Sequence, residues 1–236
     1  KKCIESILKY IGEIDFEIIV IDNNSTDRSV NMLRDNFKQI KLIKNKINLG
    51  FSKAVNLGLK KSKGRYVALV NPDAYFIENS FNICRVFLEE NSNIGVIGCK
   101  VMNEDGTLQL SSRRNFPYIY SYCFKMLGVS KLFPKNKIFS NYNQTYIDED
   151  IIQETQSISG AFMMFEKKII DKIGYFDERF FLYFEDTDFC IRAIKAGYKV
   201  IYYPLTKFFH YKSMSSKINN LNMENYFDDS FLLFFE

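Results

Sequence analysis

The chain has 236 residues, enough for one α/β domain, and 47% of them are hydrophobic, with 23 Phe and 15 Tyr among them. That supplies a sizeable core and excludes disorder over most of the length. A formal net charge of +4 is too small to argue for nucleic acid, and five cysteines without any C-x-x-C spacing suit a reducing compartment rather than a disulfide framework.

In chain order, Ile4, Ile7, Leu8 and Ile11 recur at helical spacing and predict an amphipathic helix over Lys1–Ile11. Glu17–Ile21 reads as a short buried strand ending at Asp22. Ser25 and Thr26, ahead of Asp27, offer an N-cap for a helix carrying Val30, Met32 and Leu33. Lys41–Lys44 is a second strand, Asn48–Gly50 a turn and Phe51–Lys61 a helix. The basic cluster Lys60, Lys61, Lys63 and Arg65 reads as a solvated helix end before a turn at Gly64. Arg65–Val70 is a third strand, cut off at Asn71-Pro72-Asp73. Ser80–Glu90 is helical and Ile94–Cys99 a strand. This alternation predicts an α/β fold with an open, largely parallel sheet and helices on both faces. Ligands in such sheets sit beyond the carboxyl ends of the strands, where Asp22 and Asp73 both fall.

The second half changes character. Arg113–Asp150 is richer in Tyr, Asn and Lys and is the expected variable or acceptor-facing region. Ser157–Phe165 reads as an apolar strand, with Gly160 where backbone or ligand approaches closely. Glu185–Ala196 is a helix opened by acids, followed by strands at Lys199–Tyr203 and Thr206–Tyr211. In the last helix, Met223–Phe235, residues Phe227, Phe231, Phe234 and Phe235 share a face. That face is expected to dock on the domain, with an interfacial membrane contact as the other option. No repeat or linker divides the chain, so residues 1–236 read as one domain. With no apolar run of membrane-spanning length and no signal peptide at the start, the expected location is cytoplasmic.

Four places carry polar groups that chemistry could use. Asn71-Pro72-Asp73 ends an apolar strand, where a carboxylate can hold a divalent cation; taken alone, the triplet reads better as a turn. Glu185, Asp186 and Asp188 open a helix. Acids there suit the helix dipole, but three carboxylates among Phe180, Phe181, Tyr183, Phe184 and Phe189 exceed what capping requires. Desolvation would push such a carboxylate toward general-base behaviour. His210, the single histidine, is either a satisfied structural residue or an imidazole partner to Asp73 at a metal; spacing leaves both open. Asp22-Asn23-Asn24-Ser25 is either an Asx-type turn or a contact to a base or ribose.

Together these motifs resemble the family 2 glycosyltransferases of the GT-A fold. The matching pieces run from Val20 to Asp27, from Asn48 to Gly58 and from Leu69 to Asp73, then Gly160-Ala161 and Gly174 to Asp188, and they cover nearly the whole chain. Asn71-Pro72-Asp73, the stretch Leu108–Pro117 and the His210 segment are most similar to rhamnosyltransferases. The resemblance implies a donor site built from Asp22, Asn24, Asn48, Gly50, Asn56, Asn71 and Asp73, within a nucleotide-sugar-binding half over residues 1–110. It implies Mg²⁺ or Mn²⁺ on Asp73 and His210. In an acceptor-binding and catalytic half over residues 111–236, it implies Asp186 as general base, Glu185 and Asp188 orienting it or the acceptor, and Gly160 and Ala161 at the acceptor.

The implied activity is inverting transfer of a sugar, rhamnose from deoxythymidine-diphosphate rhamnose first and uridine-diphosphate hexoses or N-acetylhexosamines next. The implied acceptor is a hydroxyl of a glycan or lipid-linked glycan in cell-surface polysaccharide synthesis, at the inner face of a membrane and with no nucleic-acid partner. Family members usually begin with an apolar strand and an Asn-Tyr-Asn-like turn before the first helix. Here the sequence opens at that helix, which reads as trimming or as a donor pocket short of one wall. A dehydrogenase would need a Gly-rich strand-to-helix turn, and no G-x-G-x-x-G is present. A sugar nucleotidyltransferase would need a Gly-rich loop near the start. A non-catalytic sugar-binding domain on the same fold is the remaining alternative.

Overall fold

Apolar residues at helical spacing form α1 (Lys2–Tyr10), which buries Cys3, Ile4 and Ile7 in a computed structural model that describes residues 1–211 and 223–236. β1 (Ile19–Asp22) pairs in parallel with β2 (Lys41–Lys44) across α2 (Ser29–Asn36). The expected Ser25/Thr26 cap is displaced. Helix α2 starts later, and Asp27 accepts the Ser29 N–H at 2.9 Å. After α3 (Phe51–Lys61) come β3 (Tyr66–Val70), β4 (Ala74–Phe76), α4 (Ser80–Glu90) and β5 (Ile94–Met102). A short 3₁₀ turn over Leu110–Ser112 leads into β6 (Arg113–Arg114), α5 (Ile119–Met126) and α6 (Val129–Leu132). Then follow β7 (Gln153–Glu154), β8 (Ser157–Ile158), β9 (Phe162–Glu166), α7 (Ile169–Ile173), α8 (Glu185–Lys195), β10 (Lys199–His210) and α9 (Met223–Phe235).

The central sheet is six-stranded, in the order β3-β9-β5-β10-β4 with β7 added along β10. It is mixed. β5 and β10 run parallel, whereas β9 runs antiparallel to both of its neighbours and β4 antiparallel to β10. The apolar run at 157–165 explains part of the difference from a largely parallel sheet. It breaks into two strands, β8 pairing with β6 and β9 entering the central sheet, and the turn between them carries Gly160. The two strands expected over 199–211 are one long strand, irregular between Tyr203 and Lys207, where Pro204 lacks a ladder N–H.

Helices cover both sheet faces, as the alternation predicted. On one side α1 and α4 pack over Phe76, Phe162 and Phe208, which are at most 1% exposed. On the other, α3, α7 and α8 pack over Val96, Met163 and Phe165, with Phe189 stacked on Phe176 at 4.3 Å. Burying one such ring completely stabilises by about 1.5–3 kcal/mol. α9 docks on the domain through Phe227, Phe231 and Phe234, which meet Phe184; Phe227 and Phe231 also meet Tyr122. No helix among the described residues is long and apolar enough to cross a membrane.

Candidate active site

The strand β3 ends at Val70, and Asn71 then turns the chain so that Asp73 stands beside β10. There His210 lies opposite Ala74 in the β4–β10 ladder. His210 Nε2 is 3.0 Å from Asp73 Oδ1 and 3.2 Å from Asn71 Nδ2. On its other side, Nδ1 lies 2.9 Å from Gln109 Oε1, and Gln109 spends its own amide N–H on Asn103. Gln109 can therefore only accept, which puts a proton on Nδ1. What remains is either an imidazolium paired with Asp73, or a neutral ring whose Nε2 lone pair sits beside a carboxylate oxygen. The second arrangement suits a cation. Both side chains are nearly buried, so neither contact is a solvated surface pair. Among the described residues no group of three or more His, Cys, Asp or Glu side chains gathers as a metal site.

The acidic helix start is built by an unusual turn. Tyr183 and Phe184 take positive φ values of 71° and 65° in succession, which is costly for bulky side chains. The turn is held by burial of Phe184 against α9. It delivers Glu185 and Asp186 to the first turn of α8, where the helix dipole favours negative charge. Asp186 Oδ2 accepts from Arg114 Nη2 at 2.7 Å and from the Gly160 N–H at 3.0 Å. Oδ1 has only the Thr187 hydroxyl at 3.2 Å, which leaves it capacity to accept another proton donor. Burial opposes the Arg114 cation, yet the Asp186 carboxylate beside it keeps it firmly charged.

Glu185 behaves differently from its neighbour. It is 6% exposed, its Oε2 has no partner, and burial together with the adjacent Asp186 pushes its carboxyl up to about 8. At neutral pH it carries a proton. In the unfolded chain that proton leaves near 4.5, so the folded state binds more protons between the two values. Stability is therefore full below that window and falls as pH rises through it. Urea melts from pH 4.5 to 8 should show this decline, and Glu185→Gln should flatten it.

The two centres share one turn. The Asn71 N–H donates to Ala161 O at 3.1 Å, and two peptides back along the chain the Gly160 N–H donates to Asp186. Gly160 and Ala161 thus join the halves by backbone, a role the sequence did not assign them. The third acid, Asp188, is engaged elsewhere, its Oδ2 taken by Arg192 at 2.6 and 2.9 Å. Its expected role was to orient Asp186 or the acceptor, and this pairing turns Oδ2 to Arg192 instead.

The donor-side residues divide as well. Asp22 is 5% exposed; Oδ1 accepts the Ser25 N–H, and Oδ2 is buried without a partner, an acceptor that a ligand N–H or O–H would satisfy. Asn24 is exposed and left-handed at φ 67°. Asn48 Oδ1 accepts from Asn23 and from the Gly50 N–H. Gly50 packs so closely on Phe181 that a Cβ would lie 2.7 Å from its ring. Both hold the turn. Asn56 is a further correction. Its side chain is buried and pairs with both backbone groups of Phe176 and with Glu178, so it ties α3 to the 174–178 loop and spends both amide N–H groups there.

Sequence reasoning missed Gln109 and Arg114. Both lie in the Leu108–Pro117 stretch, and an alternation signal was present. In an extended pair, neighbours face opposite ways. Arg113 points to the carbonyls of Ile147 and Asp148 and over the Tyr202 ring, whereas Arg114 reaches Asp186.

The profile of the family described as Glycosyl transferase family 2 matches residues 1–174. The chain is 25% identical over 220 residues to an N-acetylglucosaminyl-diphospho-decaprenol L-rhamnosyltransferase of Mycobacterium tuberculosis, covering 89% of this chain and 71% of that protein. It is 27% identical over 148 residues to rhamnosyltransferase WbbL of Escherichia coli, covering 62% of this chain and 52% of the relative. Among solved structures it is similar to GalNAc-T7 with UDP, GalNAc and Mn²⁺, with a TM-score of 0.64 at 15% identity. It is also similar to S. aureus TarS in complex with UDP, with a TM-score of 0.59 at 18% identity. The match covers 90% of this chain in both cases, and it spans 41% and 56% of those structures. Both are glycosyltransferases of the GT-A fold, and that fold is the one seen here.

Proposed function

We propose that this chain, which belongs to glycosyl transferase family 2, transfers a sugar from a nucleoside-diphosphate donor to a hydroxyl of a glycan or lipid-linked glycan. Rhamnose from a deoxythymidine-diphosphate donor is the preferred substrate, in keeping with the names of two relatives. The observation that carries the reading is the backbone link through Gly160 and Ala161. It sets a paired carboxylate and imidazole beside a second carboxylate that has a free acceptor position.

In this reading Asp22 Oδ2 meets the base or ribose, and Asp73 with His210 faces the diphosphate. Those two side chains fit a divalent cation, Mn²⁺ better than Mg²⁺ because one donor is an imidazole nitrogen. When bound, the cation would offset the charge that grows on the departing diphosphate. Asp186 Oδ1 takes the proton of the acceptor hydroxyl as that oxygen attacks the anomeric carbon, and a single displacement inverts the centre. Arg114 and Gly160 hold the other oxygen so that the base keeps one orientation. Glu185, protonated at neutral pH, lines the site without adding a second negative charge.

The test is calorimetric titration with deoxythymidine and uridine diphosphates and their sugars, with and without Mn²⁺. Wild type should bind one nucleotide series only with the metal, and Asp73→Ala should lose that dependence with at least about a tenfold drop in affinity. Metal-independent binding that is equal in both proteins would remove Asp73 from the donor site.

A further inference from the structure

We propose that the outer face of α5 and α6, with the loop after them, is a docking surface for an anionic lipid bilayer. The inner face of α5 is accounted for, since Ser121 and Tyr122 are buried and Tyr122 packs on Phe227 and Phe231 of α9. Its outer face is not polar. Ile119 and Met126 are each 67% exposed, at the two ends of one helical stripe, and Leu127 and Leu132 are 77% and 75% exposed. Phe133 and Ile138 extend the same apolar surface beyond α6. Single exposed aliphatics are ordinary, but a run of this kind on consecutive elements marks an interaction site.

The charge on this surface identifies the partner. From Asn115 to Ile147 the sequence contains no Asp or Glu and four lysines: Lys125, Lys131, Lys135 and Lys137. Lys131, Lys135 and Lys137 are exposed, while Lys125 lies over the Tyr122 and Tyr142 rings. Asp228 of α9 acts on Tyr122, whose ring lies at the inner side of α5. A second copy of the chain seated symmetrically on this face would set the exposed lysines of one copy against those of the other. Apolar side chains ringed by lysines instead suit the boundary between acyl chains and anionic headgroups, where aliphatics insert and lysines reach up to the phosphates.

The position of the surface gives this a use, a point that rests on the proposed transfer to a lipid-linked acceptor. α9 packs at once on Tyr122 of α5 and on Phe184, the residue before Glu185. The docking face and the catalytic turn are thus held by the same ring cluster. A chain seated by α5 and α6 keeps its acidic site at a fixed height over the bilayer.

The experiment is co-sedimentation of the full chain with phosphatidylcholine vesicles, with and without phosphatidylglycerol, at low and high salt. The chain should sediment with the anionic vesicles at low salt and be released by high salt. Each lysine near such a surface is worth about fivefold in partitioning, so reversing Lys131, Lys135 and Lys137 to Glu should lower it by about a hundredfold or more. Leu127→Ser with Leu132→Ser should weaken it independently. All five positions are exposed, so circular dichroism and nucleotide titration should match wild type. Failure to bind anionic vesicles, or binding that both sets of substitutions leave intact, would overturn the proposal. So would a dimer in sedimentation velocity that Leu127→Asp disperses, because a second copy would then cover the face. Vesicle binding is read without any transfer assay, so the loss of one reading does not carry the other with it.

Discussion

Asp186→Asn should reduce turnover by about 10²–10⁴ while nucleotide binding stays within about twofold of wild type, since a positioned general base contributes on that scale. The substitution keeps shape and an oxygen that can accept from Gly160. It removes the charge and the ability to take a proton at the atom now facing open capacity. Single-turnover kinetics at saturating donor and acceptor would read the chemical step directly. A variant that turns over normally would remove Asp186 as base and leave the carboxylate a purely structural partner of Arg114. Glu185 would not inherit the role at neutral pH, because it already holds a proton.

Arg114→Met should destabilise the fold by about 3–5 kcal/mol, because it strands a nearly buried carboxylate without its cation. Arg114 and Asp186 side chains are 14% and 11% exposed, and the same Nη2 also reaches Ser157 Oγ and Ile158 O at 3.1 and 3.2 Å. The penalty belongs to the uncompensated charge more than to the lost contact. A double variant, Arg114→Met with Asp186→Leu, should therefore recover much of the loss, as apolar replacements of buried ion pairs often do. Urea unfolding of the two single variants and the double variant would give the coupling. If the single losses simply add, the pair is not acting as a unit and Arg114 holds β6 by packing alone.

How far the fold could be read ahead of the structure depended on where periodicity was clean. α3, α4 and α8 fell within a residue of where the sequence placed them, because each buries one continuous stripe. The direction of β9 was not legible. A short apolar run looks the same whichever way its neighbours travel, and the Gly160 break that redirects the chain is a tertiary feature. In the site, Asp73 and His210 were paired in advance only as one of two options. What brings the two side chains together is the β4–β10 register, which joins positions 137 residues apart in sequence. Asn56 and Asp188 misled for one reason. A polar residue inside a motif is as useful for tying a loop as for holding a ligand, and only the bonds to Phe176 and Arg192 tell which.

The turn at Gly160 and Ala161 acts as a gauge. One strap of main chain accepts from the Asn71 N–H on one side and donates to Asp186 on the other. In the proposed reading, the span between the donor and acceptor ends is set by these two hydrogen bonds and the short main-chain segment that joins them. Substitutions of side chains outside these two bonds leave that distance with the backbone.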